Sequence, residues 1–176
     1  MRCLIVSCVY PPEPVVSAHT SAQVAEMMAH LGYSVSVVTN FPNRPAGNLF
    51  PGFSRKLVQR EQARKEIEIV RCFSTLSGKS RLLSRIAENL SFGLTAGWQA
   101  LTLERPDVIY ANTWPIFSTG ILVFVAWLRR VPVVMSVQDL YPESLIVQGR
   151  IRESGLVARV LRWIDRGDCE IGRAHV

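Results

Sequence analysis

A run of apolar residues from Cys3 to Val9, halted by Tyr10-Pro11-Pro12, constrains the fold of this chain more than any other feature. A strand with one solvated face alternates apolar and polar residues. One that is apolar at nearly every position is buried on both faces, as in a parallel sheet covered by helices. The next segment fits that setting. After Pro14, Ser17 is a candidate N-cap, and Ala18, Ala22, Val24, Ala25, Met28 and Leu31 lie mostly on one helical stripe, with Gly32 in the C-cap position. Val35, Val37 and Val38 then read as a second strand. Strand, helix and strand in immediate succession form a βαβ unit, whose crossover is right-handed and whose strands are parallel.

The pattern continues. Phe41 to Phe53 holds Pro42, Pro45, Gly47, Pro51 and Gly52 and predicts a long loop. Loops of that length in compact domains are often functional. The charged run Arg55, Lys56, Arg60, Glu61, Arg64, Lys65 and Glu66 reads as a solvated face in preference to a binding site. Ile67 and Ile69, extending towards Cys72, mark a third strand. Arg81 to Leu103 predicts a long amphipathic helix with Leu82, Leu83, Ile86, Leu90, Leu94 and Trp98 on a stripe. Lys79, Arg81 and Arg85 at its start oppose the helix dipole, which leaves ordinary solubility or an anionic membrane surface as their reason. Val108 to Ala111 reads as a fourth strand, Phe117 to Arg129 as a helix, Val131 to Val137 as a fifth strand and Leu156 to Ile164 as a further helix. The fold class is therefore α/β, a Rossmann-like, doubly wound parallel sheet.

Composition agrees with a single domain: 176 residues, 48% of them hydrophobic. The net charge of +6 favours an acidic or anionic partner without naming one. Four cysteines, at Cys3, Cys8, Cys72 and Cys169, form no CxxC pair and have no His at metal spacing, so the sequence predicts neither a zinc site nor a disulfide framework. Met1 to Tyr10 lacks the features of a signal peptide, which predicts a cytoplasmic protein. The longest hydrophobic run, Ile116 to Leu128, falls short of the roughly 20 residues that span a bilayer.

In a doubly wound sheet, ligands bind beyond the carboxyl ends of the strands, here Tyr10 to Ser17, Asn112 to Pro115 and Gln138 to Glu143. The first segment carries Val15 and Val16 where a dinucleotide fingerprint needs glycines, which disfavours a nicotinamide or flavin enzyme. Ser77-Gly78-Lys79-Ser80 echoes the end of a phosphate-binding loop, but Phe73 stands where the earlier glycine belongs, and the match is read as accidental. No G-x-S-x-G elbow supports hydrolase chemistry. Gln138-Asp139-Leu140-Tyr141-Pro142-Glu143 is the sharpest local signal: two carboxylates and an amide after an apolar strand, serving either as caps of the next turn or as functional groups. His19, in the opening turn of the first helix, is placed to meet a ligand, but without a partner triad it is not assigned as a base.

Tyr10-Pro11-Pro12-Glu13, Leu31-Gly32-Tyr33 before Val35-Ser36-Val37-Val38-Thr39, Arg105-Pro106-Asp107-Val108-Ile109 and above all Asp139-Leu140-Tyr141-Pro142-Glu143-Ser144-Leu145 together resemble the amino-terminal domain of family 4 glycosyltransferases. The resemblance runs from Met1 to about Asp168 and is greatest to the bacterial cell-surface polysaccharide branch that includes N-acetylfucosamine transferases. It implies the amino-terminal, acceptor-side half (residues 1–168) of a two-domain GT-B enzyme that transfers a sugar from a nucleotide-sugar donor with retention, without metal or other cofactor. By position it implies that Glu13, Val15, Val16 and Ser17 border the donor diphosphate and acceptor, that Asn112 and Thr113 line the cleft floor, and that Gln138 and Asp139 lie near the reacting sugar. Many relatives carry Gly-Gly at Val15 and Val16, and His or Arg at Gln138. The carboxyl-terminal, donor-binding half is expected to be absent, leaving this fragment inactive alone. Glu170 to Val176 equals the translation of a common sequencing-adapter run and is expected to be a non-native tail.

Two functions follow as expectations. In the first, the parent builds surface polysaccharide on a lipid-linked or saccharide acceptor at the inner face of the membrane, with Lys79, Arg81, Arg85, Phe50 and Phe53 offering a peripheral contact to anionic lipid. The alternative is a non-catalytic module that binds a nucleotide or a protein. Nucleic acid is not an expected partner, because the basic residues are interspersed with acids and no aromatic platform accompanies them.

Overall fold

The computed structural model describes residues 1–76, 82–112 and 116–137, together with Gly155 and Arg159. The chain runs β1 (Arg2–Val6), α1 (Val16–His30), β2 (Ser34–Asn40), β3 (Val58–Arg64), β4 (Ile67–Cys72), α2 (Leu82–Thr102), β5 (Val108–Asn112), α3 (Ile116–Arg129) and β6 (Val133–Ser136). The six strands form one sheet in the order β3-β4-β2-β1-β5-β6. Every pairing is parallel except that of β3 with β4. The sheet is thus doubly wound, reversing direction between β1 and β5, with one antiparallel strand at its edge.

The apolar runs explain the layering. Cys3, Ile5, Val35, Val37, Ile67 and Ile69 face one side, where Ala25 of α1 covers them. Leu4, Val6, Val38, Val70, Ile109 and Ala111 face the other, under Phe92, Ala96 and Ala100 of α2 and Leu122, Val125 and Ala126 of α3. Small residues let α2 and α3 approach closely. A Cβ on Gly93 would lie 2.8 Å from Ile121 Cδ1 and 2.9 Å from the Ser118 Cα, and Ser118 Oγ donates to the Asn89 carbonyl at 2.6 Å. Among the described residues, no helix is long and apolar enough to cross a membrane.

Two local expectations are corrected and a third is refined. Helix α1 begins at Val16 with Val15 as N-cap, so Ser17 lies inside the first turn and no side chain caps it. The apolar run after Val6 leaves the sheet: Ser7, Cys8 and Val9 are buried in the following loop, tied by Ser21 Oγ donating to Ser7 Oγ (3.0 Å) and Ser7 Oγ to the Val9 carbonyl (2.8 Å). Much of the charged run 55–66, read from sequence as a solvated face, is strand β3. Its residues remain mostly solvated, with Arg60 paired to Glu68 (3.1 Å) and Arg64 to Glu26 (3.1 Å). Gly32 ends α1 as expected, at φ +85 in a Schellman arrangement in which Tyr33 N–H donates to the Met28 carbonyl and Gly32 N–H to that of Ala29, both at 3.0 Å. The helix expected over Leu156 to Ile164 lies outside the described residues.

Candidate functional site

Because these strands are parallel, the loops after β1 and β2, the carboxyl ends of β4 and β5 and the amino ends of α1 and α2 collect at one edge of the sheet. The reversal between β1 and β5 opens a crevice there. Glu13 organises this edge. It is fully buried, and its carboxylate accepts from three backbone N–H groups: Tyr10 (3.2 Å), Asn43 (3.0 Å) and Arg44 (2.9 Å). One side chain therefore closes the β1–α1 loop on itself and clamps it to the long loop after β2. The clamp fixes Arg44, whose guanidinium donates to Glu88 of α2 at 3.0 Å. Burial pushes the Glu88 carboxyl above its ordinary range, while the Arg44 charge pulls it down by less. Burial likewise raises the nearby Cys8 thiol, opposed by Arg44 and reinforced by the Glu13 and Glu88 charges.

Arg71, near the end of β4, is a second organiser. Buried to 2% exposure, it donates through Nε to Glu61 (3.0 Å), through Nη2 to the Pro11 carbonyl (2.9 Å) and through Nη1 to that of Asn40 (3.4 Å). Its guanidinium also stacks over Phe53, 4.9 Å from the ring centroid. Strand β3, the β1–α1 loop, the end of β2 and the long loop thus converge on one cation. Asn40 Oδ1 is buried at the same edge with no hydrogen-bond partner.

Of the residues singled out from sequence, Glu13 is buried, with its carboxylate engaged by the three backbone N–H groups of the clamp. Val15 is half-buried in an extended conformation, Val16 is 83% exposed at the mouth of α1, Ser17 is half-buried and His19 is exposed one turn in. Asn112 ends β5, buried and already bonded. The uncapped α1 terminus and the end of β5 thus sit on opposite sides of the crevice. Thr113, Gln138, Asp139 and Glu143, and the Ser77–Ser80 stretch, lie outside the described residues. Arg44, Arg71 and Glu88 were not singled out as site residues. The available signal was Arg71 itself, a charged residue within the otherwise apolar end of a strand.

No group of three potential metal-ligating side chains occurs among the described residues. A groove of about 540 Å³ lies at the opposite, amino edge of the strands, lined in part by Arg2, Ser36, Arg60 and Glu68. Two of its ion pairs are internal, Arg2 with Glu104 at 2.6 Å and Arg60 with Glu68, and it lies away from the carboxyl ends of the strands, where a doubly wound sheet binds its ligand.

The model of the glycosyl transferase 4-like domain matches residues 17–168. No curated protein matches the chain. Among solved structures, the catalytic domain of starch synthase IV from Arabidopsis thaliana, bound to ADP and acarbose, superposes with a TM-score of 0.53 at 9% identity. The likeness covers 76% of this chain and 33% of that one, so the chain spans about a third of the solved enzyme, and at this identity it speaks to the fold alone.

Proposed function

The chain belongs to the glycosyl transferase 4-like domains, and on that premise we propose that it forms the acceptor-side half of a retaining glycosyltransferase whose donor half is a second Rossmann-like domain. The carrying observation is the carboxyl edge of the sheet, where Glu13 and Arg71 hold the loops after β1 and β2 in place around a crevice flanked by an uncapped helix terminus. Backbone N–H groups and the dipole at such a terminus suit an anion, here the donor diphosphate or an acceptor phosphate.

In the proposed reaction an acceptor hydroxyl oxygen bonds to the anomeric carbon as the bond from that carbon to the diphosphate breaks. The hydroxyl proton leaves with the nucleoside diphosphate. Asp139 and Gln138 follow β6, the strand beside β5, and are assigned to the reacting sugar, where a carboxylate opposes the positive charge that develops on the ring. Val15, Val16, Ser17 and His19 border the ligand from the α1 side, Asn112 and Thr113 from the floor, and Glu143 from the loop after Asp139. The acceptor is a lipid-linked or saccharide chain in surface polysaccharide synthesis, of the branch that includes N-acetylfucosamine transferases, worked on at the inner face of a membrane.

The test is Asp139→Asn in the complete gene product, assayed by nucleoside-diphosphate release. Turnover is expected to fall at least about a hundredfold with the melting temperature unchanged. Unaltered turnover would assign Asp139 to capping.

A further inference from the structure

We propose that the outward face of α2 and α3 is a docking surface that seats this domain on an anionic lipid bilayer. On α2, Leu83, Leu90, Leu94 and Leu101 recur at helical spacing on the side turned away from the sheet, with Trp98 beside them. Leu83 is 80% exposed, Leu94 65% and Trp98 64%. On α3, Phe124, Trp127 and Leu128 are exposed as well, and the Phe124 and Trp127 rings stack at 5.9 Å between centroids. The contacts of Gly93 and Gly97 with Ile121 place the two helices side by side, so these stripes adjoin. Monomeric soluble proteins seldom leave so many large apolar side chains together in water.

Charge decides what covers the face. No charged residue occurs from Asn89 to Leu103 or from Ile116 to Leu128. Basic residues border it: Arg85 near one end, and Arg105, Arg129 and Arg130 at the other. The bordering acids are already engaged, Glu88 with Arg44 and Glu104 with Arg2. Leucine and aromatic side chains inside a cationic rim match the acyl boundary and the anionic headgroups of a membrane surface. A second copy docked by two-fold symmetry would instead bring the two cationic rims together. The contact expected from sequence at Phe50 and Phe53 moves accordingly. Both rings are half-buried, Phe53 beneath Arg71, whereas the helices present their side chains outward. The inference is independent of sugar transfer, since vesicle binding requires no donor.

Co-sedimentation of the 176-residue chain with phosphatidylglycerol/phosphatidylcholine vesicles, and with phosphatidylcholine alone, tests it. The chain is expected to pellet with the anionic vesicles, and to do so severalfold less at high salt. Leu94→Gln with Trp98→Gln should reduce pelleting at least fivefold at unchanged circular dichroism, while Met27→Gln on the exposed side of α1 pellets like the parent. Phe124→Gln carries the same expectation should the double variant fail to fold. Equal recovery with both lipids, or undiminished pelleting of the face variants, overturns the proposal. Lipid-free self-association that the same substitutions abolish overturns it too, assigning the face to a second copy.

Discussion

Glu13 shows how one buried side chain can hold two loops in place. Its buried carboxylate satisfies three backbone donors from two loops. Glu13→Ala strands those donors and should cost about 3 kcal/mol, read as a lower urea midpoint, with the loss concentrated in the β1–α1 and 41–53 loops by hydrogen exchange. Loss spread evenly over the sheet would contradict the clamp. Glu88 makes a pH-dependent prediction. Its folded carboxyl holds its proton more tightly than in the unfolded chain, so the folded state binds more protons and stability falls as pH rises through the folded value. Relative to Glu88→Gln, the parent should therefore lose stability as pH rises from the ordinary carboxylate range through the raised folded value. A gap in melting temperature that is flat with pH would refute this. The burial of Glu13 and the reach of Arg71 were not legible in the sequence. Both depend on loops distant in the chain meeting at one edge, and no local pattern encodes that meeting.

Elements were legible wherever apolar residues cluster, even in β6, which is only partly buried. Strands β1, β2, β4, β5 and β6 announce themselves as apolar runs, and α1 by its Gly32 terminus, because the physics that forms them is local. Strand β3 hid its pairing behind Arg60, Glu61, Gln62 and Arg64. An edge strand needs one neighbour and little apolar surface, and its charges guard the open edge. The glycines of α2 give an element-scale prediction. A methyl on Gly93 meets the Ser118 backbone as well as the Ile121 side chain, and the backbone cannot yield without moving α3, whereas the nearest atom to one on Gly97 is a side-chain methyl, the Ile121 Cγ2 at 2.9 Å. Gly93→Ala should therefore lower stability by about 1–3 kcal/mol, and Gly97→Ala by less, compared by thermal melts. The reverse order would show that α2 and α3 are not in this register.

For the whole molecule, the doubly wound sheet with its switch point between β1 and β5 places the ligand edge before any site residue is identified. Sequence reading reached that edge through the doubly wound fold class and the segments that follow the strands. Glu13, Val15, Val16, Ser17 and His19 lie in the β1–α1 loop or the first turn of α1 and Asn112 ends β5, while Thr113, Gln138, Asp139 and Glu143 lie outside the described residues. Chemistry at the site is a property of two facing domains in this account, which makes the domain a platform for the acceptor, and its outward apolar helices fit a role beside a membrane. The central claim is sugar transfer, and the most direct measurement is nucleoside-diphosphate release from a panel of nucleotide sugars by the product of the complete source gene, in the presence of lipid-linked acceptors. The account predicts turnover with at least one donor, suppressed by Asp139→Asn, and none from the 176-residue chain alone. Absence of turnover with every donor, together with tight nucleotide binding by this chain by itself, would contradict it and point to a non-catalytic binding module.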